Sequence, residues 1–293
     1  MPWIQLVIDV TPAQTEVLED CLLELGAASV TYQDKADQPI YEPLPGETPL
    51  WNKTTLTAMF EAETDITAVI AALKPVLDFD LPTYKIEILE DKDWVREWMK
   101  DYHAICFGKR LWICPSWQKP PEPKAVNLML DPGLAFGSGT HPTTTLCMRW
   151  LDGQELTGKT IIDYGCGSGV LAVAALLLGA TSAHCVDIDP QALIATIDNA
   201  NRNKLDLANI HTAIPKDFDT STTAEVVIAN ILATPLIELS ELIASLVQPN
   251  GDLILSGILP QQADMVMQAY AQWIDFEPPL EDDGWIRLTG KKQ

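Results

Sequence analysis

Basic side chains are scarce in this sequence: 19 Lys and Arg stand against 41 Asp and Glu, a formal net charge of −22 over 293 residues. An excess of that sign repels a phosphate backbone, so direct nucleic-acid binding is not expected, and it favours a basic partner. Long apolar runs are missing as well. None reaches the ~18 residues that a membrane-spanning helix needs, so no membrane partner is expected. The opening MPWIQLVIDV has no basic stretch leading into an export signal, and the expected location is cytoplasmic. The cysteines (Cys21, Cys106, Cys114, Cys147, Cys166, Cys185) form no CxxC pair, and His103, His141, His184 and His211 are equally scattered. That spacing argues against a disulfide framework and a zinc site, and no metal is expected. Repeats and low-complexity tracts are also lacking.

What is present falls into two patterns. The stretch 3–10 is β-branched and loosely alternating, which predicts a strand. Thr11, Pro12 and Gln14 then spell a helix start, and Val17, Leu18, Cys21, Leu22 and Leu25 line one helical face up to Gly26. Strands over 28–34, 55–63 and 84–90 and a short helix over 65–77 complete the order β-α-β-β-α-β. That order predicts a small α+β domain of ferredoxin-like arrangement over residues 1–90. It holds 16 acidic against 4 basic residues, a charge of −12, with −10 left for the rest of the chain. No catalytic constellation lies in it, so its expected role is recognition. Residues 91–125 read as a connector, with Trp94 and Trp98 on one side of a short helix, then Trp112 and Trp117, then the break QKPPEPK. The tryptophans are expected to pack between domains. From 126 to 293, apolar strands (160–165, 183–189, 209–214, 224–231, 251–258) alternate with helices (169–179, 190–203, 234–248, 260–273), which predicts a doubly wound α/β domain.

The first strand-to-helix turn of that domain, where such folds bind ligands, reads Gly165-Cys166-Gly167-Ser168-Gly169. A dinucleotide fingerprint needs a glycine at position 170, which is Val170, and no GK[ST] follows to make a phosphate-binding loop. The turn thus brings backbone close to a ligand that carries no pyrophosphate there. Asp163 precedes the first glycine, and Asp187 and Asp189 end the next strand, where a carboxylate can accept from ribose hydroxyls.

This combination resembles the class I S-adenosylmethionine-dependent methyltransferases. The resemblance implies S-adenosyl-L-methionine as cofactor, Gly165, Gly167 and Gly169 beside its methionine moiety, and Asp187 as the ribose acid. Further stretches narrow it: LDPGLAFGSGTHPTTTLCMRWL (130–151), VVIANIL (226–232), MPWIQL, EPLPGETPLW and EDKDWVREWM. Together these resemble the ribosomal protein L-eleven methyltransferase family over nearly the whole chain. Ser138 stands where a threonine is usual, and a small hydroxyl is retained.

That resemblance implies a Rossmann-like class I methyltransferase domain, ending in an antiparallel hairpin and preceded by a substrate-recognition domain. It implies cofactor contacts at Thr144, Gly165, Asp187 and Asn230, and methylation of lysine side-chain and N-terminal amines of a basic large-subunit ribosomal protein. Asn230 is the candidate catalytic residue, orienting the amine. His141 is the nearby histidine, but a histidine at a helix start is more often structural, so no general base is assigned. A monomer is expected. Rival readings are a methyltransferase of RNA or a small molecule, a cofactor-binding scaffold without catalysis, and a dehydrogenase, which Val170 disfavours.

Overall fold

The computed structural model describes residues 2–36, 38, 40, 49–90, 103–131 and 139–293. It divides into two compact units, Met1–Met99 and Lys100–Gln293. The first contains β1 (Trp3–Val10), α1 (Pro12–Glu24), β2 (Ser29–Asp34), β3 (Thr54–Glu61), α2 (Ile66–Leu73) and β4 (Tyr84–Leu89). Capping sets the helix starts: Gln14 Oε1 accepts from the Thr11 N–H at 3.0 Å, and Asp65 Oδ1 accepts from the Thr67 and Ala68 N–H groups at 3.1 Å each. The strands form one antiparallel sheet in the order β2-β3-β1-β4. Period-two alternation sends Leu6 and Ile8 of β1 and Leu56 and Phe60 of β3 to one face, where Leu18 and Leu22 of α1 and Ile70 and Leu73 of α2 bury them. The opposite face carries Gln5, Asp9, Gln33, Thr57, Lys85 and Glu87 around a shallow polar hollow of about 620 Å³.

The second unit opens with a three-stranded sheet of β5 (Ile105–Cys106), β6 (Leu111–Cys114) and β7 (Val126–Met129). β5 and β6 fall in the stretch 91–125 that was expected to be a connector, and β7 opens the stretch expected to be the α/β domain. Instead Leu111, Ile113 and Leu128 are fully buried in the core of the α/β unit, because 111–114 alternates apolar residues toward it. The Asp152 carboxylate fixes the β5–β6 turn by accepting from the N–H groups of Lys109 (2.8 Å), Arg110 (2.9 Å) and Leu111 (2.7 Å). Residues 91–102, with Trp94 and Trp98, lie outside the described residues.

There follow α3 (Pro142–Asp152), β8 (Thr160–Tyr164), α4 (Val170–Leu177), β9 (Ser182–Val186), α5 (Pro190–Arg202), β10 (Ile210–Ala213), β11 (Ala224–Asn230), α6 (Ala233–Glu238), α7 (Ser240–Leu246), β12 (Val247–Ile258), α8 (Ala263–Tyr270), β13 (Ile274–Phe276), β14 (Leu280–Asp282) and β15 (Trp285–Lys292). The sheet order is β10-β9-β8-β11-β12-β15-β13, with β14 paired to β15. The five strands from β10 to β12 are parallel, and β15 enters antiparallel between β12 and β13. Helices cover both faces, which is why Leu253, Ile254 and Leu255 form an unbroken buried run rather than an alternation. The helix expected over 234–248 is two helices, breaking at Leu239 (φ −96°, ψ 11°). Its last residues begin β12, whose register slips between Ala224 and Val226 of the neighbouring strand. Among the described residues no helix is long and apolar enough to cross a membrane.

Candidate functional site

The strand order reverses between β8 and β11: β9 and β10 follow on one side of β8, β12 on the far side of β11. At such a switch point the loops at the carboxyl ends diverge and leave a crevice. The glycine turn after β8 forms its floor. Gly165, Gly167 and Gly169 take φ of +78°, +53° and +70°, a region that a side chain makes costly. The N–H groups of Gly165 and Cys166 both donate to Val186 O, at 2.7 and 3.1 Å, stitching the turn to the end of β9. A Cβ on Gly165 would lie 2.2 Å from Ile231 Cγ2.

Asp187 follows β9 and braces the same turn. Its Oδ2 accepts from the Gly167 N–H at 2.8 Å and its Oδ1 from the Asp189 N–H at 2.9 Å. Each oxygen still has acceptor capacity. Asp189 does different work, capping α5 through the Gln191 N–H at 2.9 Å. Asn230 ends β11, and its Nδ2 donates to the buried Thr144 Oγ1 at 3.4 Å, joining the strand to the first turn of α3. His141 caps α3: its Nδ1 accepts from the Thr143 N–H at 3.3 Å and lies 2.8 Å from Thr143 Oγ1. Burial pushes the His141 imidazole pKa down, with the Asp283 carboxylate pulling the other way.

These elements enclose a cleft of about 560 Å³, within the range of small-molecule sites. Its walls are mostly apolar, supplied by Tyr164, Ile188, Ile231, Leu232, Pro235 and Trp285. Ile188 is 84% exposed, a large bare side chain presented directly beside Asp187. Beneath the turn lies Asp163, 1% exposed. Its Oδ2 accepts from the Ala172 N–H at 3.2 Å, while Oδ1 is buried with no hydrogen-bond partner among the described residues. Burial, with the Asp187 charge adding to it, pushes the carboxyl pKa up to about 7. A glycine turn that lets backbone approach, an acceptor at the tip of the next strand and an apolar wall beside it suit a ligand that carries hydroxyls next to a flat apolar group.

The model of the family described as "Ribosomal protein L11 methyltransferase (PrmA)" matches residues 2–293. The chain belongs to that family. It is 56% identical over 293 residues to the ribosomal protein L11 methyltransferase of Ectopseudomonas mendocina, covering 100% of both chains. It is also 56% identical over 296 residues to that of Sodalis glossinidius, again covering 100% of both. Among solved structures, the crystal structure of ribosomal protein L11 methylase from Lactobacillus delbrueckii subsp. bulgaricus superposes with a TM-score of 0.59 at 32% identity, covering 66% of this chain and all of that one. The large mixed α/β unit is thus a Rossmann-like methyltransferase fold.

Of the residues singled out by sequence, Gly165, Gly167, Asp187 and Asn230 line the one cleft, and Thr144 stands directly behind Asn230. Gly169 does not line it. A Cβ there would fall 2.5 Å from Thr196 Oγ1, so its glycine serves the packing of the turn on α5. Sequence reasoning missed Ile188, Gly257 and Trp285. Gly257 (φ +86°) lies against the Ile231 backbone, where a Cβ would sit 2.2 Å from the carbonyl oxygen. A glycine inside an apolar strand signals such a close approach, and SGI at 256–258 carried that signal. The Asp283-Gly284 pair ahead of Trp285 is a two-residue hairpin turn with both φ positive, at +49° and +73°, legible from the dipeptide.

Proposed function

We propose that this chain is an S-adenosylmethionine-dependent protein methyltransferase acting on lysine side-chain and N-terminal amines of the basic ribosomal protein L11. The observation that supports it most is the convergence of Gly165, Gly167, Asp187 and Asn230 on a single apolar cleft in a chain matched end to end by the family. The bound cofactor supplies a methyl group already activated by a sulfonium, so neither a metal nor a covalent nucleophile is required. Gly165 and Gly167 let the turn approach the methionine moiety, with Gly169 holding the turn in shape. Asp163 lies buried beneath the turn, where its Oδ2 accepts from the Ala172 N–H and braces the start of α4. Asp187 would accept from the ribose hydroxyls, and Ile188 offers a flat apolar surface to the base. Thr144 sits buried on the first turn of α3, behind Asn230.

The chain's remaining task is to align a neutral amine. At pH 7 a lysine of pKa ~10.4 costs about 4–5 kcal/mol to deprotonate, and a closed apolar cleft that already holds a sulfonium lowers that cost by disfavouring a second cation. His141 Nδ1 is engaged by Thr143, so the proton leaves to solvent rather than to that imidazole. With Nδ2 directed to Thr144, the Asn230 amide presents Oδ1 as its acceptor, able to take an amine N–H and aim the lone pair at the methyl carbon. With the methyl donor bound, the aligned amine would form its N–C bond as the donor's C–S bond broke.

The first unit is read as a ferredoxin-like recognition domain spanning 1–90; its β2-β3-β1-β4 order and its share of the acidic excess favour that reading. The same acidity disfavours RNA as the substrate. The reading takes the monomer as the acting unit, and a ribosomal substrate places that action in the cytoplasm. The test is Asn230→Ala, with cofactor affinity measured by calorimetry and transfer measured with labelled methyl. Turnover should fall about 10²-fold, the scale of lost alignment, with cofactor affinity changed by no more than about threefold. Equal loss of both would leave Asn230 only a cofactor contact.

A further inference from the structure

The C-terminal hairpin places an aromatic ring in the cleft that the reaction as described leaves without a role. On β15 the side chains alternate. Ile286 and Leu288 are buried in the core cluster under α6, α7 and α8, while Trp285 and Arg287 face the α3 side, where Arg287 Nη1 donates to Leu146 O at 2.9 Å. Trp285 is half-buried and lines the cleft together with Asn230 and His141. The His141 ring and the indole make a T-shaped contact, with centroids 5.1 Å apart and planes at 66°. His141 is in turn fixed as the cap of α3, so the indole rests against a ring that is itself anchored.

Charge converges on the same place. Asp282 ends β14 and pairs with Trp285 across the Asp283-Gly284 turn. Asp282 is neutralised by Arg149, whose Nη1 lies 2.5 Å from its Oδ2. Asp283 is exposed and close enough to His141 to oppose the effect of burial on that imidazole. An indole lining a cleft with mostly apolar walls, two residues along the hairpin from the exposed Asp283, suits a cation with a greasy stem. A lysine or an N-terminal amine arrives as that kind of group, and each methylated product is a softer version of it.

We propose that Trp285, with Asp283 beside it, is the specificity element that receives the substrate's ammonium group at the cleft rim and selects aliphatic cations over neutral groups. The proposal rests on the amine-methylation reading above. Trp285 here is a positioning residue: it collects the amine that Asn230 then orients.

The test uses the full chain with labelled cofactor and the basic ribosomal protein, and two competing inhibitors: N-acetyl-trimethyllysine amide and its neutral isostere, with carbon in place of the ammonium nitrogen. Wild type should be inhibited about tenfold more strongly by the cation, within the range of a partly desolvated cation–π contact. Trp285→Phe should keep part of that preference, and Trp285→Leu with Asp283→Asn should abolish it, raising KM for the protein substrate more than it lowers kcat. Calorimetric binding of S-adenosylhomocysteine should stay within about twofold in every variant, which also reports that they fold. Equal inhibition by the two compounds in wild type, or by neither, overturns the proposal. So does a preference that survives Trp285→Leu while S-adenosylhomocysteine binding is lost, which would make the ring a cofactor wall. Failure of the underlying function shows separately, as no methyl transfer to protein by uninhibited wild type.

Discussion

Ile231 sits between two glycines, and the two contacts differ in kind. At Gly257 a Cβ would fall 2.2 Å from Ile231 O and 2.8 Å from its carbonyl carbon. At Gly165 it would fall 2.2 Å from Ile231 Cγ2, a side-chain atom. Both positions have φ near +80°, at +86° and +78°. Replacing either by alanine therefore brings left-handed backbone strain of about 1–2 kcal/mol and an overpacking cost of about 1–3 kcal/mol. Each variant should lose about 2–5 kcal/mol of stability on these scales, with Gly257→Ala at the upper end because a backbone carbonyl has no rotamer to escape into. Gly26→Ala is the control: its φ is +95° with nothing within 4 Å of the Cβ, so only the strain remains. The assay is urea denaturation of each variant in the wild-type and Ile231→Ala backgrounds, read as a double-mutant cycle. Removing Cγ2 should relieve Gly165→Ala down to the control's loss and leave Gly257→Ala nearly as damaging as before. Relief of both, or a Gly257→Ala loss no larger than that of Gly26→Ala, would refute the reasoning.

Two further outcomes follow from charge. Asp163 has its folded-state pKa raised by burial to about 7, above an unfolded value of ~3.9, so the native state holds the proton more tightly. Its stabilising contribution is fully present below pH ~4 and is lost as pH rises through ~7, an amplitude of at most about 4 kcal/mol. Urea midpoints should fall between pH 5 and 8 in wild type and flatten in Asp163→Asn; a flat wild-type profile would contradict the assignment. In the acidic first unit, reversing the charge of the exposed Glu16, Asp20, Glu24 and Glu63 should slow association with the basic substrate about tenfold at low salt and converge with wild type at high salt. Stopped-flow rates independent of both changes would exclude steering.

Much of the fold could be read from local pattern. The Thr11/Gln14 start of α1 lies in neighbouring residues, as does the alternation of β1 and β3, and the Gly165–Gly169 turn was placed with its strand and helix on either side. What escaped depends on contacts distant in sequence. The far wall of the cleft exists because β15 returns antiparallel between β12 and β13, which brings Trp285 to His141 across more than a hundred residues. The glycine at 169 looks like its neighbours, yet Thr196 is what demands it. The segment 105–114 read as connector because its strands are short and proline-flanked. It joins the second unit by burying Leu111 and Ile113 in that unit's core and tying its turn to Asp152. The break at Leu239 had no local breaker residue to announce it.

The central claim is methyl transfer to one basic protein, and the most direct measurement is a transfer assay with methyl-labelled S-adenosylmethionine and undermodified large ribosomal subunits, separated afterwards into protein and RNA. Label confined to a single basic ribosomal protein, and lost with Gly167→Arg, is the predicted result. Label in the RNA, or in neither fraction while the cofactor still binds, would contradict it.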